Sequence, residues 1–187
     1  MPPSTFPETV LRTDRLVLRP FTADDVADTQ RACSDELTQR WLPLPSPHTL
    51  DHASSWCTEI SHHLRTSGDG IHFAITDAAT GQLLGTVGLK KTDWPALVSE
   101  VGYWIAPWAR GRGTAAEAAR TVGEWLLRQQ SFQRLVLFAA TGNTASQRVA
   151  EKAGFQREGL LRNAGYIHGG RVDLFGYSLI PADLNGT

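Results

Sequence analysis

The sequence predicts an α/β chain, α+β in its three-layer arrangement, with a mixed and mostly antiparallel central sheet built around one βαβ unit. Three observations carry this. Residues 71–76, 82–89 and 98–106 are strand-like runs separated by the turn-rich 77–81 and by Asp93-Trp94-Pro95, the pattern of an antiparallel meander. Residues 114–128 place Ala115, Ala118, Ala119, Val122 and Leu126 on one helical face and Glu117, Arg120, Glu124 and Arg128 on the other. Leu135-Val136-Leu137-Phe138-Ala139-Ala140 is apolar without alternation, as expected of a strand buried on both faces. Strand, helix and buried strand make the βαβ unit, whose crossover should be right-handed.

Local signals supply the remaining elements. Residues 15–20 set Leu16, Val17 and Leu18 between Arg15 and Arg19 and read as the first strand. Thr22, with Asp25 three residues on and Phe21 placed to staple against Val26, starts a helix. Pro43, Pro45 and Pro47 forbid helix across 43–47, because each removes a donor and restricts the residue before it. A helix starting near Thr49 puts Ala53, Trp56, Cys57, Ile60 and Leu64 on one stripe and ends at Gly68-Asp69-Gly70. Thr144 and Gln147 read as a capping pair opening a short helix that Gly154 stops. Residues 155–167 and 171–180 read as a closing hairpin around His168-Gly169-Gly170.

The bulk numbers exclude several classes. At 187 residues and 41% hydrophobic, the chain can bury a core without disulfides or metal, and 1–187 reads as a single domain. A formal net charge of −1 gives no pull towards nucleic acid or an anionic membrane. Cys33 and Cys57 are too few for a disulfide framework or a zinc site, and the six histidines suggest no metal set. Met1-Pro2-Pro3-Ser4-Thr5 lacks the basic start of a signal peptide, and no apolar run reaches membrane-spanning length. The chain therefore reads as a soluble cytoplasmic protein.

The chemistry concentrates between Ala106 and Thr114, in Pro107-Trp108-Ala109-Arg110-Gly111-Arg112-Gly113. A helix N-terminus leaves backbone N–H groups unpaired and carries partial positive charge, so it suits a phosphate. Gly111 and Gly113 let a ligand approach the backbone, Arg110 and Arg112 add charge, and Ala115 and Ala116 keep the first turn narrow. A nucleoside-triphosphate loop is excluded, since no Gly-Lys-Ser/Thr is present. Residues 111–116 satisfy the bare dinucleotide pattern. However, the loop begins several residues after its strand, and the next strand ends in Ala139-Ala140-Thr141 with no acid for a ribose.

Arg110-x-x-Gly113-x-Ala115 resembles the Arg/Gln-x-x-Gly-x-Gly/Ala signature of the GNAT superfamily of N-acetyltransferases. Residues 11–20, Glu100-Val101-Gly102-Tyr103-Trp104-Ile105, and Asn143, Ser146, Val149, Lys152, Gly154 and Phe155 in their spacing resemble its RimJ/RimL-type branch, in family order. The resemblance implies acetyl-CoA as co-substrate and no metal. Ile105 would pair with the pantetheine arm, Arg110, Gly111, Arg112, Gly113, Thr114 and Ala115 would hold the pyrophosphate, and Asn143 would bond the pantetheine. It further implies Ser146 beside the sulfur as proton donor. Arg148 and Lys152, one helical turn apart, could reach the adenosine 3′-phosphate.

The implied reaction is acetyl transfer to a primary amine, a protein N-terminus or a small molecule, by direct attack in a ternary complex. Glu100 is the candidate general base, acting through water and sharing a strand face with Gly102 and Trp104. Tyr103 and Tyr166 are alternative proton donors, and Trp41 a candidate wall of the acceptor site. One departure counts against ribosomal specificity: where members of this branch carry a catalytic Glu before a closing tyrosine, this chain has Gly165 before Tyr166. A catalytically weak acyl-CoA-binding module, or use of a longer acyl-CoA, are the alternatives. Homodimerisation through the terminal strands is left open.

Overall fold

The computed structural model describes residues 4–184; the Met1-Pro2-Pro3 start on which the signal-peptide reading rests lies outside them, as do 185–187. A short β1 (Leu11–Arg12) leads to β2 (Leu16–Arg19), then α1 (Val26–Cys33), α2 (Glu36–Trp41), α3 (Leu50–Ser55) and α4 (Ser61–Ser67). The meander follows as β3 (Ile71–Asp77), β4 (Leu83–Asp93) and β5 (Val98–Ile105). Then come α5 (Thr114–Glu124), β6 (Arg134–Ala140), α6 (Thr144–Lys152), β7 (Gln156–Ile167) and β8 (Gly170–Leu179). Among the described residues these strands form one sheet in the order β1-β2-β3-β4-β5-β6-β8-β7. Only β5 and β6 pair in parallel, across the βαβ unit; the other neighbours are antiparallel.

Most of the sequence signals act as read. Thr22 N donates to Asp25 Oδ2 at 2.8 Å, Phe21 packs with Val26, and Arg19 grips Asp25 through two bonds. His168 (φ 47°) and Gly169 (φ 78°) both take left-handed backbone in the hairpin turn, which suits the twist of the two strands.

Four expectations need correction. The stripe from Ala53 to Leu64 is interrupted by a π turn at Trp56–Ile60, between α3 and α4. Its wider turn shifts the helical phase, so Ala53, Cys57 and Ser61 are buried while Ile60 is 45% exposed. The long helix likewise ends its α portion at Glu124 and closes in a π turn, Trp125–Gln129. The cap of α6 is Asn143 rather than Thr144: its side chain accepts from Ser146 N at 3.1 Å, while Gln147 turns back to Ala140 O and Thr141 O. Finally, β6 is fully buried on one face and only partly on the other. Leu135, Leu137 and Ala139 face the core, but Phe138 on the other face is 39% exposed.

Side-chain alternation divides the sheet into two faces. Phe73, Val87, Val101, Leu135 and Leu137 pack with Ala118, Ala119 and Val122 of α5 and Ala150 of α6, forming the main core. On the opposite face Ala74 packs with Phe21, Cys57 and Trp56, under α1 and α3. Two glycines lie side by side there, Gly88 opposite Gly102 in the β4–β5 ladder. His72 fills the space above Gly88, with Trp56 edge-on to its ring at 4.9 Å. A Cβ on Gly88 would come within 2.1 Å of His72 Nδ1. Gly88→Ala should therefore force ring displacement and lower the unfolding free energy by about 1–3 kcal/mol, read from the denaturant midpoint.

Candidate functional site

The sheet opens in its middle. β5 and β6 pair only through Val98↔Arg134, Ser99↔Leu135 and Glu100↔Val136. Past Glu100, β5 stays with β4 as far as Ile105, and β6 stays with β8 as far as Ala140. The two strands thus diverge, and a cavity of about 530 Å³ occupies the gap. Alternation sends Tyr103, in register with Val87, to the α5/α6 face, and sends Glu100, Gly102 and Trp104 to the other. The gap therefore communicates between the two faces of the sheet.

The loop lies at the head of this gap. Trp108 Nε1 donates to Leu83 O at 2.8 Å and Ala109 is buried, so the loop's first half is anchored in the sheet. Gly111 and Gly113 both have φ 77°, a region where glycine is preferred, and a Cβ on Gly111 would meet nothing within 4 Å. The first intrahelical bond of α5 runs from Glu117 N to Gly113 O, so the N–H groups of Thr114, Ala115 and Ala116 precede it. Open space above two glycines and these N–H groups fit a diphosphate. From behind, Arg15 bonds Glu117 Oε2 through Nε at 2.9 Å and donates to Arg112 O at 3.2 Å, while Thr13 Oγ1 reaches Glu117 Oε1.

Arg110 departs from the expectation that it adds charge to the cradle. Its guanidinium is bonded to Asp35, the cap of α2, and to Thr38 Oγ1 at 2.9 Å. That bond holds the Asp35 carboxyl below its ordinary pKa despite partial burial. Arg112 is exposed and lies outside the cavity lining, so its side chain also stands apart. The other expected site residues all border the cavity: Glu100, Ile105, Gly111, Gly113, Thr114, Ala115, Asn143, Ser146, Arg148 and Lys152, and Arg110 with them.

On the α6 side, Tyr103 Oη lies 2.8 Å from Ser146 Oγ and 3.3 Å from Ser146 O, which ties β5 to α6 across the gap. Burial pushes the Tyr103 phenol up to about 12, outweighing the Ser146 bond that pulls it down, so the phenol keeps its proton at neutral pH. On the opposite face Glu100 is buried and paired with Lys90 at 3.1 Å and Lys91 at 2.9 Å. Trp41, Leu42 and Pro43 wall this side; the Trp41 ring stands over Gly142, where a Cβ would meet it at 3.2 Å. His168 of the hairpin tip contacts Gln39 O of α2.

Other chemistries find little support. A Cβ on Gly165 would meet Val172 and Leu174 at 2.7 and 2.8 Å, so apolar chains fill the place of a carboxylate. Cys33 and Cys57 are both buried; burial pushes the Cys33 thiol up to about 12 and raises Cys57 as well, so neither is a nucleophile. Among the described residues no group of three His, Cys, Asp or Glu is arranged to hold a metal, and no helix is long and apolar enough to cross a membrane.

Comparison with known proteins decides the family. The acetyltransferase (GNAT) domain matches residues 15–156. The chain belongs to the GNAT acetyltransferase family. The uncharacterised N-acetyltransferase YoaA of Bacillus subtilis (strain 168) is 32% identical over 173 residues, covering 91% of this chain and 96% of that one. The solved structure of Mycobacterium smegmatis RimJ in complex with CoA-disulfide superposes with a TM-score of 0.83 at 21% identity, covering 96% and 89% of the two chains. The Vibrio fischeri ribosomal-protein-S5-alanine acetyltransferase gives 0.79 at 20% identity, covering 92% and 96%. The two solved structures share the fold of this chain, an α/β sheet with a GNAT arrangement. The chain is thus an acetyltransferase whose donor is acetyl-CoA.

Several residues of this GNAT site were not legible in the sequence. The Tyr103–Ser146 contact joins positions 43 apart, the Asp35–Arg110 pair positions 75 apart, and Lys90 and Lys91 meet Glu100 only through strand register. One signal was present: Asp35 with Thr38 three residues on is a helix-cap spacing that marks the unanticipated α2. Asp35→Ala should remove the α2 cap and release Arg110, lowering stability at pH 7 by about 1–2 kcal/mol. Because the Asp35 pKa is depressed in the fold, its contribution is complete above the ordinary carboxylate value of 3.8 and is lost as pH falls below it. Chemical denaturation of both proteins at pH 7 and pH 3 reads the convergence.

Proposed function

We propose that this chain transfers an acetyl group from acetyl-CoA to a primary amine by direct attack in a ternary complex, with acetyl-CoA and amine meeting inside the β5–β6 gap. The observation that carries the reading is the two-sided gap: the N-terminus of α5 and the Ser146 and Tyr103 hydroxyls border it on one face, and the buried Glu100 carboxylate on the other. When bound, acetyl-CoA supplies an activated carbonyl on a thiolate leaving group. The N–H groups of Thr114, Ala115 and Ala116, with Gly111 and Gly113, hold the diphosphate. The unpaired edge of β5 near Ile105 and the Asn143 amide orient the pantetheine, and Arg148 and Lys152 meet the 3′-phosphate.

Glu100 takes a proton from the arriving ammonium through water, leaving a neutral amine to attack. Ser146 gives its hydroxyl proton to the departing thiolate, and Tyr103 positions that hydroxyl from 2.8 Å. Base and acid on opposite faces suit a displacement in which amine arrives from one side and thiol leaves to the other. The acceptor is a protein N-terminus or a small-molecule amine.

Three variants test the assignments. Gly113→Asp introduces a charge where a Cβ meets only Arg15 at 3.9 Å, so CoA affinity by calorimetry should fall at least about tenfold; undiminished affinity would overturn the cradle. Glu100→Gln should lower turnover about 10²-fold near neutral pH, with relief at alkaline pH and CoA affinity retained. An unchanged pH–rate profile removes Glu100 from the role. Since the Tyr103 proton is held to about 12, Tyr103→Phe should cut turnover by a factor that stays constant from pH 7 to 9; a factor that varies over this range contradicts the positioning role. Tight CoA binding without thiol release across a broad amine panel would favour a binding module.

A further inference from the structure

We propose that the acceptor is a small zwitterionic amine, a free α-amino acid with an aromatic or branched apolar side chain, whose carboxylate is received by Lys90. The proposal rests on the acetyl-transfer reading above and adds the substrate class. Size is the first constraint. The cavity of about 530 Å³ must house the pantetheine arm as well as the acceptor, which leaves room for a small molecule.

Charge is the second constraint. Glu100 is the one acidic side chain among the described residues that line the cavity. It stands between two ammonium groups, Lys90 on Oε1 and Lys91 on Oε2. Consecutive strand residues ordinarily point to opposite faces, yet both lysines reach the same carboxylate. The register shifts by one residue between Lys90 and Asp93, and Lys91 has φ 49°, so a bulge turns Lys91 to the Lys90 side. Lys90 also leans over Gly102: a Cβ there would lie 3.5 Å from its Nζ. A cation therefore stands at the opening of the gap, on the face that the acceptor nitrogen must cross.

Three kinds of amine respond differently to this arrangement. A polyamine or aminoglycoside finds one carboxylate already flanked by two cations and is repelled. A simple amine gains Glu100 and meets the same repulsion. An α-amino acid sets its ammonium against Glu100 and its carboxylate against Lys90, exchanging one ion pair for two and leaving no buried charge alone. Its side chain then contacts Trp41, Leu42, Pro43, Phe138 and Leu174.

In the reaction a C–N bond forms at the thioester carbonyl and the C–S bond breaks, with its electron pair going to sulfur. The nitrogen loses two protons, one balanced by the thiol and one released to solvent, giving an N-acetyl amino acid and CoA.

The test uses the full chain. Thiol release is measured with L-phenylalanine and L-leucine, their decarboxylated amines, L-phenylalaninamide, Phe-Ala-Ala-amide and spermidine. L-Phenylalanine is also titrated calorimetrically into the protein saturated with CoA. The expected result is a kcat/KM for the free amino acids at least about tenfold above the amines and amides, and a preference that Lys90→Met abolishes together with L-phenylalanine binding. CoA titration of the same variant confirms that it is folded. Equal or better use of the decarboxylated amines, the peptide amide or spermidine overturns the zwitterion while leaving the transferase intact. Thiol release that no amine of the panel raises above the amine-free rate overturns the transferase reading, and the proposal with it.

Discussion

A sheet that fails to close in its own middle governs this structure. After Glu100 and Val136 the two central strands part, and backbone groups that would normally pair are left facing a cavity. Such groups are costly to leave without partners. The gap persists because each strand is committed elsewhere, β5 to β4 up to Ile105 and β6 to β8 up to Ala140. Tyr103 and Ser146 add a strut across it, and the packing of α5 and α6 on the core holds both sides at a fixed separation. A ligand that pairs with the freed edge of β5 meets an unmet hydrogen-bonding demand created by the fold.

The loop and the helical side depend on that opening in different ways. The loop is braced from outside the site, by Thr13 and Arg15 acting through Glu117 and by Trp108 acting through Leu83. Arg110 runs the other way, reaching over to α2, so the segment that carries Trp41 is tied to the glycine loop before α5. The loop at the head of the gap and the Trp41 wall are mechanically continuous through one ion pair. Arg110 thereby serves to join two elements, while the Arg112 side chain stays exposed and contributes its backbone carbonyl to Arg15.

How much of this was legible depends on the range of each interaction. The meander, the βαβ unit and the closing hairpin follow from periodicity and turn residues, which are local. The Arg110–Ala115 loop was readable because its glycines and helix start are contiguous. Helical phase after Trp56 was not, since a π turn leaves no compositional mark and moves Ile60 to the surface. Asn143 and Thr144 both suit the cap by residue type, and the geometry of the preceding turn decides for Asn143. The partners of Glu100, Arg110 and Ser146 come from distant elements, and only the three-dimensional register brings them together.

The bulge at the end of β4 has a consequence for how such a site diversifies. Lys91 joins Lys90 at Glu100 because one extra residue sits in that strand between Lys90 and Asp93. Loss of a single codon there would restore alternation and turn one ammonium away, changing the local electrostatic balance without replacing any charged residue. In this fold the charge on the Glu100 side of the gap is encoded in strand length as much as in residue identity. Two chains of nearly identical composition would therefore present different charge beside the same carboxylate.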